Sequence, residues 1–221
     1  MRRVPVWVVW ALGLVPLAVL GWDLAQGGLG PDPVAAIEHR LGRTAVYLLL
    51  ATLSVTPILR FGRINLVRFR RALGLLTFLY AALHLAAWVV LDMGLMWSDA
   101  LRDVMKRPYL TIGMAAWVIL AVLAATSSKR AIRALGRRWK TLHRMVYPAA
   151  GLAILHWLMA YKLWPAWGLT MGAALVILLA LRVRWGRVAR WGARKNGLKT
   201  VGCNEHDVFL KKPLARYETS L

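Results

Sequence analysis

Six apolar runs, separated by short polar connections, constrain the fold more than any other feature of the chain. They occupy residues 4–22, 44–59, 72–91, 108–128, 145–161 and 163–181, are 16 to 21 residues long, and contain no aspartate or glutamate. A helix needs about 20 apolar residues to cross a hydrocarbon core of about 30 Å, and a flanking turn makes up the difference. Membrane-spanning strands would be about 9–11 residues long with alternating polarity, and no run alternates. The expected fold is an all-α integral membrane protein, a six-transmembrane-helix bundle whose short connections make neighbouring helices antiparallel. This domain is expected over residues 1–190, with 191–221 forming a polar basic tail too short to pack a core of its own. The first run follows Arg2 and Arg3. It is longer than the apolar core of a signal peptide and has no clear small-x-small cleavage site, so it reads as a membrane helix.

The charges then orient the bundle. The chain is 59% hydrophobic, yet its formal net charge is +21. That combination suits a protein whose apolar spans and basic loops are segregated along the sequence. It does not suit a nucleic-acid-binding globule, because the basic residues flank the apolar runs. Of 30 lysines and arginines, 24 fall at the N-terminus, in the second–third and fourth–fifth connections, and after the sixth run. The other connections carry Arg40, Arg43, Arg102, Lys106, Arg107 and Lys162, balanced by acids. The positive-inside rule therefore places both termini in the cytoplasm.

Redox and metal chemistry is bounded by the side chains present. There is a single cysteine, Cys203, so an internal disulfide, a thiolate-held iron–sulfur cluster and a Cys-rich zinc site are excluded within one chain. Five histidines remain: His39, His84, His143, His156 and His206. Counting 1.5 Å per residue, His84 lies about 4 Å beyond the centre of the third run and His156 about 6–7 Å beyond that of the fifth. Both runs point outward, so two imidazoles on different helices reach a similar depth in the outer half of the membrane. His143 lies about 20 Å from His156 along the fifth run, at the cytoplasmic rim. His39 precedes the second run at the outer rim.

A haem between helices would use such a pair, since its iron takes an axial nitrogen from each side and offsets the desolvation of buried imidazoles. Interhelical hydrogen bonding is the simpler explanation for a membrane histidine. A transporter or channel whose histidines line a pathway is the other alternative, although proton relays ordinarily include intramembrane carboxylates. Ala81, Ala82, Ala86, Ala87, Ala149, Ala150, Gly151 and Ala153 near these histidines would admit a macrocycle or simply let helices pack closely. On one ideal helix His143 and His156 would stand about 140° apart, and Pro148 between them is a natural kink.

Four segments, "AIEHRLGRTA" (36–45), "RRALGLLTFLYAALHL" (70–85), "KRPYLTIGMAAW" (106–117) and "LGRRWKTLHRMVYPAAGLAILHW" (135–157), together resemble the MsrQ family, formerly YedZ. The resemblance extends over roughly residues 5–190. It implies membership of the ferric-reductase-like transmembrane group, which includes the eukaryotic NADPH oxidases. It also implies a b-type haem electron-transfer subunit, multi-pass in the bacterial cell inner membrane. Electrons would come from a cytoplasmic flavin reductase, through FMN or from quinone. They would pass to the periplasmic molybdopterin-containing partner MsrP, which repairs methionine sulfoxide in proteins. Carried over residue by residue, the resemblance makes His84, His143 and His156 the haem-associated histidines, with one haem or two. Two-haem relatives carry a further histidine where this chain has Arg70, so an inner haem on His143 would need another ligand.

Arg70 and Arg71 are candidates for a haem propionate or a flavin phosphate on the cytoplasmic side, or are plain topology signals. Arg43 and Arg107, on the sparsely basic outer side, are candidates for propionates or a partner, or snorkel from helix ends. The 12 tryptophans mark the membrane interfaces. Cys203 and His206 in "CNEHD" make too small a set for a metal site.

Overall fold

The computed structural model describes residues 5–160 and 166–181, and all regular structure among them is helical. Helix α1 (Val6–Ala25) is followed by α2 (Pro33–Gly62) and α3 (Arg70–Ala87), which continues into a π-helical turn, Trp88–Asp92. Then come α4 (Trp97–Lys106), α5 (Pro108–Ala125), the short α6 (Lys129–Leu135) and α7 (Arg137–Leu142), and α8 (Val146–Ala160) and α9 (Ala166–Ala180). Four segments are long and apolar enough to cross a membrane: α1, α2, Val67–Asp92 around α3, and α5. Helices α8 and α9 are apolar but shorter, with 15 residues each. The tail with Cys203 and His206, and the residues between α8 and α9, lie outside the described residues.

Three local features depart from the reading of the apolar runs. First, α2 starts at Pro33, well before its apolar run. Asp32 caps it, accepting the Ala35 amide at 3.0 Å, and Pro33 takes the first helical position, where its missing N–H costs nothing. Glu38, His39, Arg40 and Arg43 therefore stand on a helix, and Arg40 pairs with Asp23 to tie down the α1–α2 connection.

Second, the connection before the fourth run forms the amphipathic α4. Its Ala100 is buried, whereas Trp97, Leu101 and Met105, spaced four apart on one face, are 69%, 63% and 77% exposed. Asp99, Arg102, Asp103 and Lys106 interrupt the apolar run enough to hide this helix from a search for spans.

Third, residues 138–160 are not one helix. Gly136 (φ 49°) separates α6 from α7, and a 3-10 turn, His143–Met145, separates α7 from α8. Pro148 then sits in the first turn of α8, where proline is tolerated. The chain is thus redirected before Pro148, and His143 and His156 do not share an α-helix.

Two apolar clusters hold the described bundle together. Leu49, Leu50, Leu53, Leu120, Leu123, Val146, Ala149, Ala150, Ile154 and Leu175 join α2, α5, α8 and α9. Leu20, Leu29, Leu41, Ala45, Tyr80 and Ala87 join α1, α2 and α3. Within the second, the Tyr80 hydroxyl donates to the Gly13 carbonyl at 2.6 Å and accepts the Leu17 amide at 3.1 Å. Those two groups are partners in an ideal helix, so Tyr80 bridges one rung of the α1 ladder and fastens that largely exposed helix to α3.

Candidate functional site

The α2–α3 and α5–α8 pairs are the most extensive helix contacts in the bundle, and each holds one half-buried histidine. His84, near the C-terminal end of α3, places Nδ1 3.0 Å from the Glu38 carbonyl oxygen of α2. His156, in the C-terminal half of α8, places Nδ1 2.8 Å from the Tyr109 carbonyl oxygen of α5. A carbonyl only accepts, so each Nδ1 carries the proton and each Nε2 keeps its lone pair. Metal-bound histidines are typically prepared in this way.

The two rings face one another across a cavity, with centroids 6.3 Å apart and planes at 67°. Two imidazoles bound on opposite sides of one metal, each at about 2 Å, have ring centres about 6 Å apart. The pair therefore has the spacing required by one bis-histidine metal. No group of three or more His, Cys, Asp or Glu side chains suited to a metal occurs among the described residues. A bare zinc or calcium ion would want more protein ligands than two. An iron already held by a macrocycle wants two axial ligands, and this donor set fits a haem.

The cavity walls suit that group as well. Leu49, Ala81, Leu85, Ala116, Leu120 and Ala153 give it an apolar lining, while Glu38, His39, Arg43, Asp92 and Arg107 add polar groups. Two wall atoms, Glu38 Oε1 and Trp117 Nε1, are buried without a hydrogen-bond partner. Trp117 packs on Phe78 at 5.8 Å between centroids. Arg107 is shared with Asp103, at 3.4 Å, and the Tyr109 hydroxyl, at 3.3 Å. The small residues divide by role. Ala81 and Ala153 line the cavity, whereas Ala149 and Ala150 are fully buried in helix packing.

His143 lies elsewhere. In its 3-10 turn it stacks on Trp139 at 4.0 Å between centroids, with Nδ1 3.2 Å from the Trp139 carbonyl oxygen. Trp139 is itself fixed by Nε1 donating to the Thr126 carbonyl at 3.0 Å. Nε2 of His143 is buried without a well-formed hydrogen bond. Burial pushes this imidazole below its usual pKa, and the nearby Arg70 charge adds to the effect. His143, Arg70 and Arg71 do not line the cavity, and Arg71 is exposed. Of the sequence candidates, His84 and His156 are brought together, Arg43, Arg107 and His39 stand on the same cavity wall, and the other three lie apart from it.

The sequence reading overlooked Gly42 and Gly113. Each is the point at which one of the two imidazoles touches a neighbouring helix. A Cβ on Gly113 would stand 2.7 Å from His156 Nδ1, and one on Gly42 would stand 3.4 Å from His84 Nδ1. For Gly113 the available signal was a glycine inside an apolar helical run, where it weakens the helix unless something approaches it closely; Gly42 precedes the run at 44–59 and carried no such signal.

Comparison with known proteins agrees with this architecture. Residues 41–154 match the family described as "Ferric reductase like transmembrane component". The chain is 46% identical over 161 residues to the protein-methionine-sulfoxide reductase heme-binding subunit MsrQ of Brucella anthropi, covering 73% of each chain. It is 44% identical over 177 residues to the proteins of the same name from Brucella ovis and Brucella canis, covering 80% of each chain. With a family model matching residues 41–154, more than half of the chain, and identity of this order over most of its length, the chain belongs to the MsrQ family of ferric-reductase-like membrane proteins.

Proposed function

We propose that the chain is the haem-bearing electron-transfer subunit of a bacterial methionine sulfoxide reductase system in the cell inner membrane. The observation that carries this reading is the pair His84 and His156, 6.3 Å apart across a helix-lined cavity, each with Nδ1 engaged by a backbone carbonyl. A haem held there supplies a one-electron iron centre inside the membrane. It would be a non-covalent, b-type haem. Thioether attachment requires a C-x-x-C-H motif, and the only cysteine is Cys203.

The protein's own part is to hold two neutral imidazoles in fixed orientation and keep the site apolar. Arg43 and Arg107 line the cavity and would pair with the haem carboxylates. Six membrane crossings with both termini cytoplasmic follow from the apolar runs and the basic loops. In that orientation the cavity opens toward the periplasm, facing the acceptor, MsrP, a molybdopterin enzyme that carries out sulfoxide reduction itself. Arg70, whose charge reaches His143, with Arg71 and Arg138 from the two cytoplasmic connections, forms the basic patch for electron input, through FMN from a flavin reductase or from quinol. One haem is assigned. His143 has no second histidine at its end of the bundle among the described residues, and we place it on the input face.

The visible spectrum of the purified protein tests the haem assignment. A haem bound by two histidines gives a Soret band that shifts, with sharp low-spin visible bands, on reduction by dithionite. A colourless preparation from haem-replete cells overturns it.

A further inference from the structure

The two histidines are seated by the same device, used twice. In an α-helix the carbonyl of one residue accepts the N–H four positions on. Glu38 and Gly42 are such a pair on α2, and Tyr109 and Gly113 are such a pair on α5. Each histidine ring reaches the first member through Nδ1 and rests against the second. The ring and the glycine amide thus share one carbonyl oxygen, which has two lone pairs to offer. The donor and acceptor are 46 residues apart in the first case and 47 in the second. Helices α2 and α5 contribute no iron ligand, yet they hold both ligands from behind.

We propose that Gly113 and Gly42 are positioning residues for the two iron ligands. Each is a notch that lets the imidazole approach the helix closely enough to engage the shared carbonyl, which fixes the direction of Nε2. This rests on the reading of His84 and His156 as ligands. The two notches differ in tightness. A Cβ at Gly113 would lie 2.7, 2.9 and 3.1 Å from His156 Nδ1, Cε1 and Cγ. No side chain fits there unless the ring moves, and moving it breaks the 2.8 Å bond to Tyr109. At Gly42 the nearest ring atoms would be 3.4 Å away, so alanine fits with little displacement and a branched side chain does not. Gly151 on α8 would meet nothing within 4 Å and serves as the control for a glycine-to-alanine change in a ligand-bearing helix.

The test compares purified full-length Gly113→Ala, Gly42→Ala, Gly42→Val, Gly151→Ala and His156→Ala by haem content, low-spin electron paramagnetic resonance and haem midpoint potential. Gly113→Ala is expected to lose haem affinity on the order of tenfold or more, as outer-shell changes at metal sites do. Any haem it retains should show shifted low-spin g-values. Gly42→Val should follow it, Gly42→Ala should show a smaller shift than Gly42→Val because its Cβ would stand at contact distance from the ring, and Gly151→Ala should keep the parent spectrum and potential. If Gly113→Ala does not accumulate in the membrane, Gly42→Val against Gly42→Ala decides. Parent haem content, g-values and potential in Gly113→Ala, or in Gly42→Val, overturn the proposal. If those variants are unaffected while His156→Ala loses haem, only the positioning role fails. If His156→Ala keeps parent haem, the ligand reading itself fails.

Discussion

His84 and His156 lie on helices from two different hairpins, yet their ring centroids stand 6.3 Å apart and both turn Nδ1 away onto a backbone carbonyl. Neither contact is local, since each joins residues more than 40 positions apart. The site is therefore a product of how α3 docks on α2 and α8 docks on α5. Its integrity reports on both hairpins at once.

His143 is expected to be dispensable for the low-spin haem. It stacks on Trp139 and is absent from the cavity wall. His143→Ala should keep haem content and low-spin bands while slowing haem reduction by reduced FMN or quinol, measured by stopped-flow absorbance in proteoliposomes. Loss of the haem in this variant would place His143 among the ligands.

Tyr80→Phe probes the attachment of α1. The hydroxyl satisfies both the Gly13 carbonyl and the Leu17 amide in a buried setting. Leaving buried polar groups without partners costs about 1–3 kcal/mol, and α1 can recover part of this by closing its own ladder. The variant should unfold at a lower temperature in detergent, followed by loss of the Soret band, with an unchanged spectrum before melting. An unchanged unfolding temperature would show that the α1 ladder closes without cost.

The orientation is tested by reporters. With 24 of 30 basic residues assigned to one side, alkaline phosphatase inserted near Gly94 should be active, and the same reporter joined after Leu221 should be inactive. Activity in the C-terminal fusion would invert the proposed orientation.

The outline of this protein was legible because a bilayer imposes lengths and charge placement that can be counted along a sequence. The apolar runs locate α1, α3 and α5 well, and the depth count brought His84 and His156 to one level. What escaped was set by polar or single-residue detail. Asp32 and Pro33 start α2 early through a cap that a hydropathy count does not register. Residues of both charges hide α4 within a loop. The 3-10 turn at His143–Met145 divides what reads as one helix, so the angle of about 140° between His143 and His156 on one ideal helix does not apply. Gly42 and Gly113 were invisible as site residues, since a glycine's role depends on what approaches it, and both rings approach from another helix.

Removing the two proposed iron ligands one at a time is the most direct measurement. His84→Ala and His156→Ala should each lose the haem, or keep a weakly held, high-spin fraction, when haem content and spin state are read from the oxidised and dithionite-reduced spectra. Because the two rings face one site, the two variants should look alike. A His84→Ala protein that retains full haem with an unchanged low-spin spectrum would contradict the pairing of His84 with His156.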